Sequence, residues 1–98
     1  MSVTLLYISE CPSWQIALEN LRVAVGSEAE IELHEITSGD EALAKDFGGS
    51  PTITRGGQDI FGHPQPVDEL ACRVYVTPEG LKGAPTIDMI RQALTAGT

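Results

Sequence analysis

The stretch ISECPSWQIALENL, residues 8–21, joins two different periodicities at a cysteine. Upstream, Val3 to Ser9 is a β-rich run, apolar on both faces except for Thr4 and the Tyr7 hydroxyl, as a central buried strand should be. Downstream, from Pro12 to Val25, Trp14, Ala17, Leu18, Leu21, Ala24 and Val25 recur at helical spacing, and Gly26 stands where a C′ residue belongs. Cys11 sits at the junction. With Cys11 as N-cap and Pro12 as the first helical residue, the sulfur faces unsatisfied backbone N–H groups at the positive end of a helix dipole. Such positions can lower a thiol pKa from about 8.5 to about 3.5–7.5, although the dipole alone contributes only roughly 0.3–2 kcal/mol. Glu10 is adjacent and no basic residue is near in sequence, so modest activation is expected, with the sulfur partly open to solvent.

The remaining elements follow from the same patterns. Ile31, Leu33 and Ile36 outline a second strand, with Glu32 and His34 on its other face; Ser38-Gly39-Asp40-Glu41 fits a capping box and predicts a helix to about Phe47, ended by Gly48-Gly49. Thr52–Arg55 and Gln58–Phe61 are short strands around Gly56-Gly57, a pair suited to a tight hairpin. Pro85 opens a last helix striped by Ile87, Ile90, Ala93 and Leu94 and ended by Gly97. The order is β-α-β-α-β-β-α, with an insert from about 62 to 84 in which CRVYV reads as a further short strand. A β-α-β crossing followed by a hairpin gives a four-stranded mixed sheet flanked by helices, an α/β fold.

At 98 residues the chain suits a single domain, 1–98. Its net charge is −8 with only six Lys and Arg, which excludes a phosphate-backbone partner and disfavours an anionic membrane surface. The first apolar run lacks a basic flank and is far too short for a membrane span, so a cytoplasmic location is expected. Two cysteines in such a chain suggest redox chemistry, metal binding or core filling rather than a disulfide framework.

Two features together carry a resemblance: CPSW at the start of the first helix and SPTI at the start of the third strand. In this pairing the chain resembles the thioredoxin-like superfamily, which places a reactive cysteine at a helix start with a cis proline facing it. The resemblance covers residues 1–61 and 84–97 but not the insert, and it implies a cis Ser50–Pro51 peptide bond. The motifs GGSPTI, CRVY and GAPTIDMIRQAL are also similar to small proteins labelled alkylmercury-lyase-like. Trp14 replaces the second cysteine of the usual Cys-x-x-Cys pair, so a disulfide within the helix is excluded.

The candidate catalytic residues are therefore Cys11 and Cys72, with Pro12, Trp14, Ser50, Pro51 and Thr52 as substrate-binding residues and neither metal nor cofactor expected. Each has an alternative. Cys11 is either a reactive thiol or an inert core residue; Trp14 is core packing, an aromatic wall beside the thiol, or both. In the implied topology the insert leaves from and returns to the Cys11 end of the sheet. Cys72 is then a displaced resolving thiol, or a core strand residue sharing a face with Val74 and Val76. His63 with the two cysteines would make a soft-metal set, against a solvated loop histidine. The expected function is a thiol-dependent oxidoreductase acting on protein or small-molecule thiols and disulfides. A non-catalytic binding module and a soft-metal or organomercurial handling protein are the alternatives.

Overall fold

The computed structural model describes residues 2–63 and 68–96. Gly97, read as the end of the last helix, and Pro64 and Pro66 of the insert lie outside them. In chain order the elements are β1 (Ser2–Tyr7), α1 (Ser13–Val25), β2 (Glu30–Glu35), α2 (Gly39–Ala44), β3 (Thr52–Arg55), β4 (Gln58–Asp59), β5 (Tyr75–Thr77), β6 (Gly80–Lys82) and α3 (Ile87–Ala96). The first four strands form one mixed sheet in the order β2-β1-β3-β4, and β5 and β6 make a separate antiparallel pair.

β1 is central, as its two apolar faces require. It runs parallel to β2, with Leu5 opposite Leu33, and antiparallel to β3, with Leu5 opposite Ile53. Alternation along β1 feeds two separate cores. Val3 and Leu5 join Ile53, the α1 residues Ala17, Leu18, Leu21 and Val25, and Ile90 and Leu94 of α3. Leu6 faces the other way, into a smaller cluster with Ile8, Cys11, Ile36, Ala42 of α2 and Phe47. Each large apolar side chain fully buried here contributes on the order of 1.5–3 kcal/mol.

Several boundaries differ from expectation. Helix α1 is regular from Ser13, one residue later than expected, but Pro12 already has helical angles (φ −64°, ψ −15°), so the first turn opens at Cys11-Pro12 as the sequence suggests. The Cys11 carbonyl accepts from the Trp14 N–H at 3.3 Å, a tightened first turn. Ser38 does cap α2, its Oγ accepting from the Glu41 N–H. Glu41, however, reaches back to the Thr37 N–H (2.9 Å) instead of the Ser38 N–H, and the helix ends at Ala44 rather than Phe47. Asp46 follows with φ 58°, which turns Phe47 into the core. Strand β4 stops at Asp59, two residues short of Phe61; its turn is the Gly56-Gly57 pair at φ 62° and 80°, where side chains are disfavoured.

In the insert, the strand begins at Tyr75 and its faces are reversed from the core-packed alternative. Tyr75 and Thr77 point inward, while Cys72, Val74 and Val76 are exposed. Among the described residues no helix is long and apolar enough to cross a membrane.

Candidate functional site

Cys11 and Cys72 are joined by a disulfide, with their Cα atoms 5.8 Å apart. This separation lies inside the range that a disulfide bridges without backbone movement. Each cysteine is held by a different kind of structure. Cys11 follows β1 in a turn, its N–H donating to the Ile8 carbonyl at 3.2 Å, and it packs within the Leu6–Phe47 cluster at 2% exposure. In the disulfide form the expectation of a sulfur partly open to solvent fails: Cys11 packs with Ile36 just past β2, Ala42 of α2 and Phe47 of the turn after it, and Cys72 is bonded to its sulfur.

Cys72 reaches Cys11 because its segment pairs with Ser50. The Ser50 N–H donates to the Ala71 carbonyl (2.8 Å) and the Arg73 N–H donates to the Ser50 carbonyl (2.9 Å), a parallel bridge centred on Cys72. The Ser50 hydroxyl, itself buried, accepts from the Ile8 N–H at 3.0 Å. One residue thus ties the end of β1, the start of β3 and the Cys72 segment together. The Ser50–Pro51 peptide bond is cis. The Pro51 carbonyl accepts from the Tyr75 hydroxyl. Burial raises the Tyr75 pKa, with Arg73 opposing and Asp59 adding to the rise.

A polar cluster missed in the sequence anchors the Cys72 segment from its other side. The Asp59 carboxylate is 0% exposed and accepts from Arg73 at 2.7 Å and from the Phe61 N–H at 3.0 Å, with His63 Nδ1 at 2.8 Å. Arg73 also donates to the Gly62 carbonyl (2.9 Å) and lies 4.7 Å over the Tyr75 ring. Asp46 joins this cluster, accepting from the Asp59 N–H at 2.8 Å and facing His63 Nε2 at 3.3 Å. His63 is engaged by these two carboxylates, and no described group of three or more His, Cys, Asp or Glu residues is arranged for a metal ion. Gly48 and Gly49 do more than turn the chain. A Cβ on Gly49 would stand 2.9 Å from Arg73 Cβ, and one on Gly48 would stand 2.7 Å from His63 Nδ1. Their missing side chains let the Cys72 segment, the arm of residues 71–77, lie against the turn after α2.

The other expected site residues divide into two groups. Ser50, Pro51 and Thr52 contact the arm: Thr52 Oγ1 donates to the Gly49 carbonyl, accepts from the Gly48 N–H (3.0 Å) and lies 3.4 Å from Arg73. Trp14 stacks on Tyr7, with centroids 4.3 Å apart, and packs against the larger core, as its packing alternative had it. Pro12 fixes the helix start. A cleft lined by Ala24, Val25, Arg55 and Leu94 lies at the opposite end of the sheet and has no part in this arrangement.

Comparison with protein-family models, with curated proteins and with solved structures returns no match.

Proposed function

We propose that the chain is a thioredoxin-like thiol–disulfide oxidoreductase whose reversible element is the Cys11–Cys72 bond. The observation that carries this reading is the attachment of Cys72. It is bonded to a cysteine at a helix start, yet it sits on a short exposed segment held largely by hydrogen bonds and an ion pair. A segment of that kind can let go of its partner without dismantling either core, because local opening favours regions with few buried apolar contacts. The order β2-β1-β3-β4, with helices over both faces, agrees with the fold that the resemblance implies.

In the oxidising direction, a dithiol substrate gives up two electrons and two protons; its two sulfurs join, and Cys11 and Cys72 are released as thiols. The reducing direction is the reverse. No metal or cofactor enters either balance. Ser50 keeps its backbone contacts to residues 71 and 73 in the closed form, so an extended peptide could use those contacts only after the arm leaves.

A second reading has one observation in its favour, the near-complete burial of Cys11. In it the bond is a permanent clamp on a binding module. A handling role for soft metals would use the same sulfurs in their reduced form. Turnover separates these. Wild-type protein should reduce a small disulfide in the presence of a dithiol, and both Cys11→Ser and Cys72→Ser should lose at least about 90% of that activity, the order of loss expected when one half of an exchanging pair is removed. Equal turnover by wild type and both variants would defeat the oxidoreductase reading.

A further inference from the structure

We infer that external thiols enter at Cys72, so that Cys72 carries the mixed disulfide and Cys11 acts as the resolving cysteine. This reverses the roles expected from the sequence, and it rests on the reading that the bond is exchanged.

The argument is one of approach. A thiolate attacks a disulfide sulfur roughly along the S–S axis, from the side opposite the sulfur that leaves, and access decides which sulfur is struck. Attack on Cys11 Sγ must therefore come from the far side of Cys11. That line ends in protein: Cys11 is 2% exposed and packed among Leu6, Ile8, Ile36, Ala42 and Phe47. Attack on Cys72 Sγ comes from the far side of Cys72, an exposed residue between exposed Ala71 and half-buried Arg73, with Val74 beyond at 62% exposure. The Arg73–Asp59 pair and the Ser50 bridge hold this segment by its backbone and by its neighbour's side chain, and Cys72 itself stays exposed.

The steps balance as follows. A thiolate RS⁻ forms a bond to Cys72 Sγ, the Cys11–Cys72 bond breaks, and Cys11 leaves as thiolate and takes up a proton. A second RS⁻ then attacks the R-bearing sulfur, giving RSSR and releasing Cys72, which is protonated in turn. Two thiols are oxidised and one protein disulfide is reduced. In the opposite direction, Cys72 meets the substrate disulfide and Cys11 attacks Cys72 from within, releasing the substrate thiol.

The test uses the oxidised wild-type chain and 2-mercaptoethanol, whose thiolate carries no further negative charge for the exposed acidic residues Asp68 and Glu69 to repel. Samples are quenched with acid at early times, unfolded, alkylated with N-ethylmaleimide at low pH and mapped by peptide mass spectrometry. The expected early product bears mercaptoethanol on Cys72 and maleimide on Cys11, exceeding the converse product by about tenfold or more, the margin that blocked access implies. A mercaptoethanol adduct mainly on Cys11 overturns the assignment, as does the absence of any adduct until the protein unfolds. The turnover assay reports separately on function. A Cys72 adduct without turnover keeps the assignment and removes the oxidoreductase; turnover with a Cys11 adduct does the reverse.

Discussion

The two ends of one disulfide sit in unlike surroundings. Cys11 is fixed by an apolar cluster, where attraction is non-directional and grows with the area removed from water. Cys72 is fixed mainly by directed bonds: two to the Ser50 backbone, one ion pair at Asp59 and one hydroxyl on the Pro51 carbonyl. Three residues on, the buried Tyr75 ring packs edge-on against Phe61. The first kind of support fails only when the core fails. The second can open locally at the cost of a few polar contacts, each worth roughly 0.5–3 kcal/mol net. The bond thus joins an apolar cluster to a segment held by polar contacts, and the proposed exchange rests on that difference.

The strongest way to break this contrast is from the core side. Phe47→Ala empties a fully buried site and should lower stability by about 3–5 kcal/mol in denaturant titration, with all regions unfolding together. A loss under about 1 kcal/mol would mean that the smaller cluster is not a true core.

Arg73→Ala should cost less globally, about 3 kcal/mol at most, since Asp59 retains His63 beside it. Its signature is local. Hydrogen exchange at the Ser50 and Arg73 amides should accelerate while the amides of β1 stay protected. Uniform acceleration would make the arm an integral part of the fold. Gly49→Ala acts on the same contact by sterics; with φ at 108° and Arg73 Cβ in the way, a cost of roughly 1–3 kcal/mol is expected, again with faster exchange at the arm.

The smallest effect lies away from both cysteines. Hydrogen bonding from the Thr37 N–H and then from His34 lowers the Glu41 pKa below its ordinary 4.5. A depressed carboxylate contributes stability that is fully present above about 4.5 and lost as pH falls through its lower folded value. Glu41→Gln should therefore lower Tm at pH 7 and leave it nearly unchanged at the acid end. A difference that persists undiminished in acid would assign the effect to packing.

The core elements were legible because they are periodic. The alternation of β1, the stripe of α1 and the Gly56-Gly57 turn are local signals, and the element order they give brings the start and end of the insert to Cys11. The arm was less legible, for a physical reason. Residues 72–77 alternate Cys, Val and Val against Arg, Tyr and Thr, and an aliphatic face would ordinarily turn inward. Here the polar face wins, because Arg73 finds the buried Asp59 and the Tyr75 hydroxyl finds the Pro51 carbonyl. Those partners are 14 and 24 residues away, beyond any local pattern. Pro78-Glu79-Gly80 was an available turn signal for the overlooked β5–β6 hairpin. The burial of Cys11 left no such signal, since a sequence places a side chain at a helix start without saying what covers it.

Closing a loop of this length, with the cysteines 61 residues apart, constrains the unfolded chain by about 4 kcal/mol in the chain-entropy model, so the bond stabilises the protein in either role. Its reduction potential separates the roles. The full chain is equilibrated in dithiol–disulfide buffers of stepped ratio, and the fraction of Cys11–Cys72 bond is read after acid quench. An exchanging bond is expected to titrate with a midpoint above about −300 mV, within reach of thiol pools. A midpoint well below that value, with no reduction short of unfolding, would contradict the account and make the disulfide a permanent clamp.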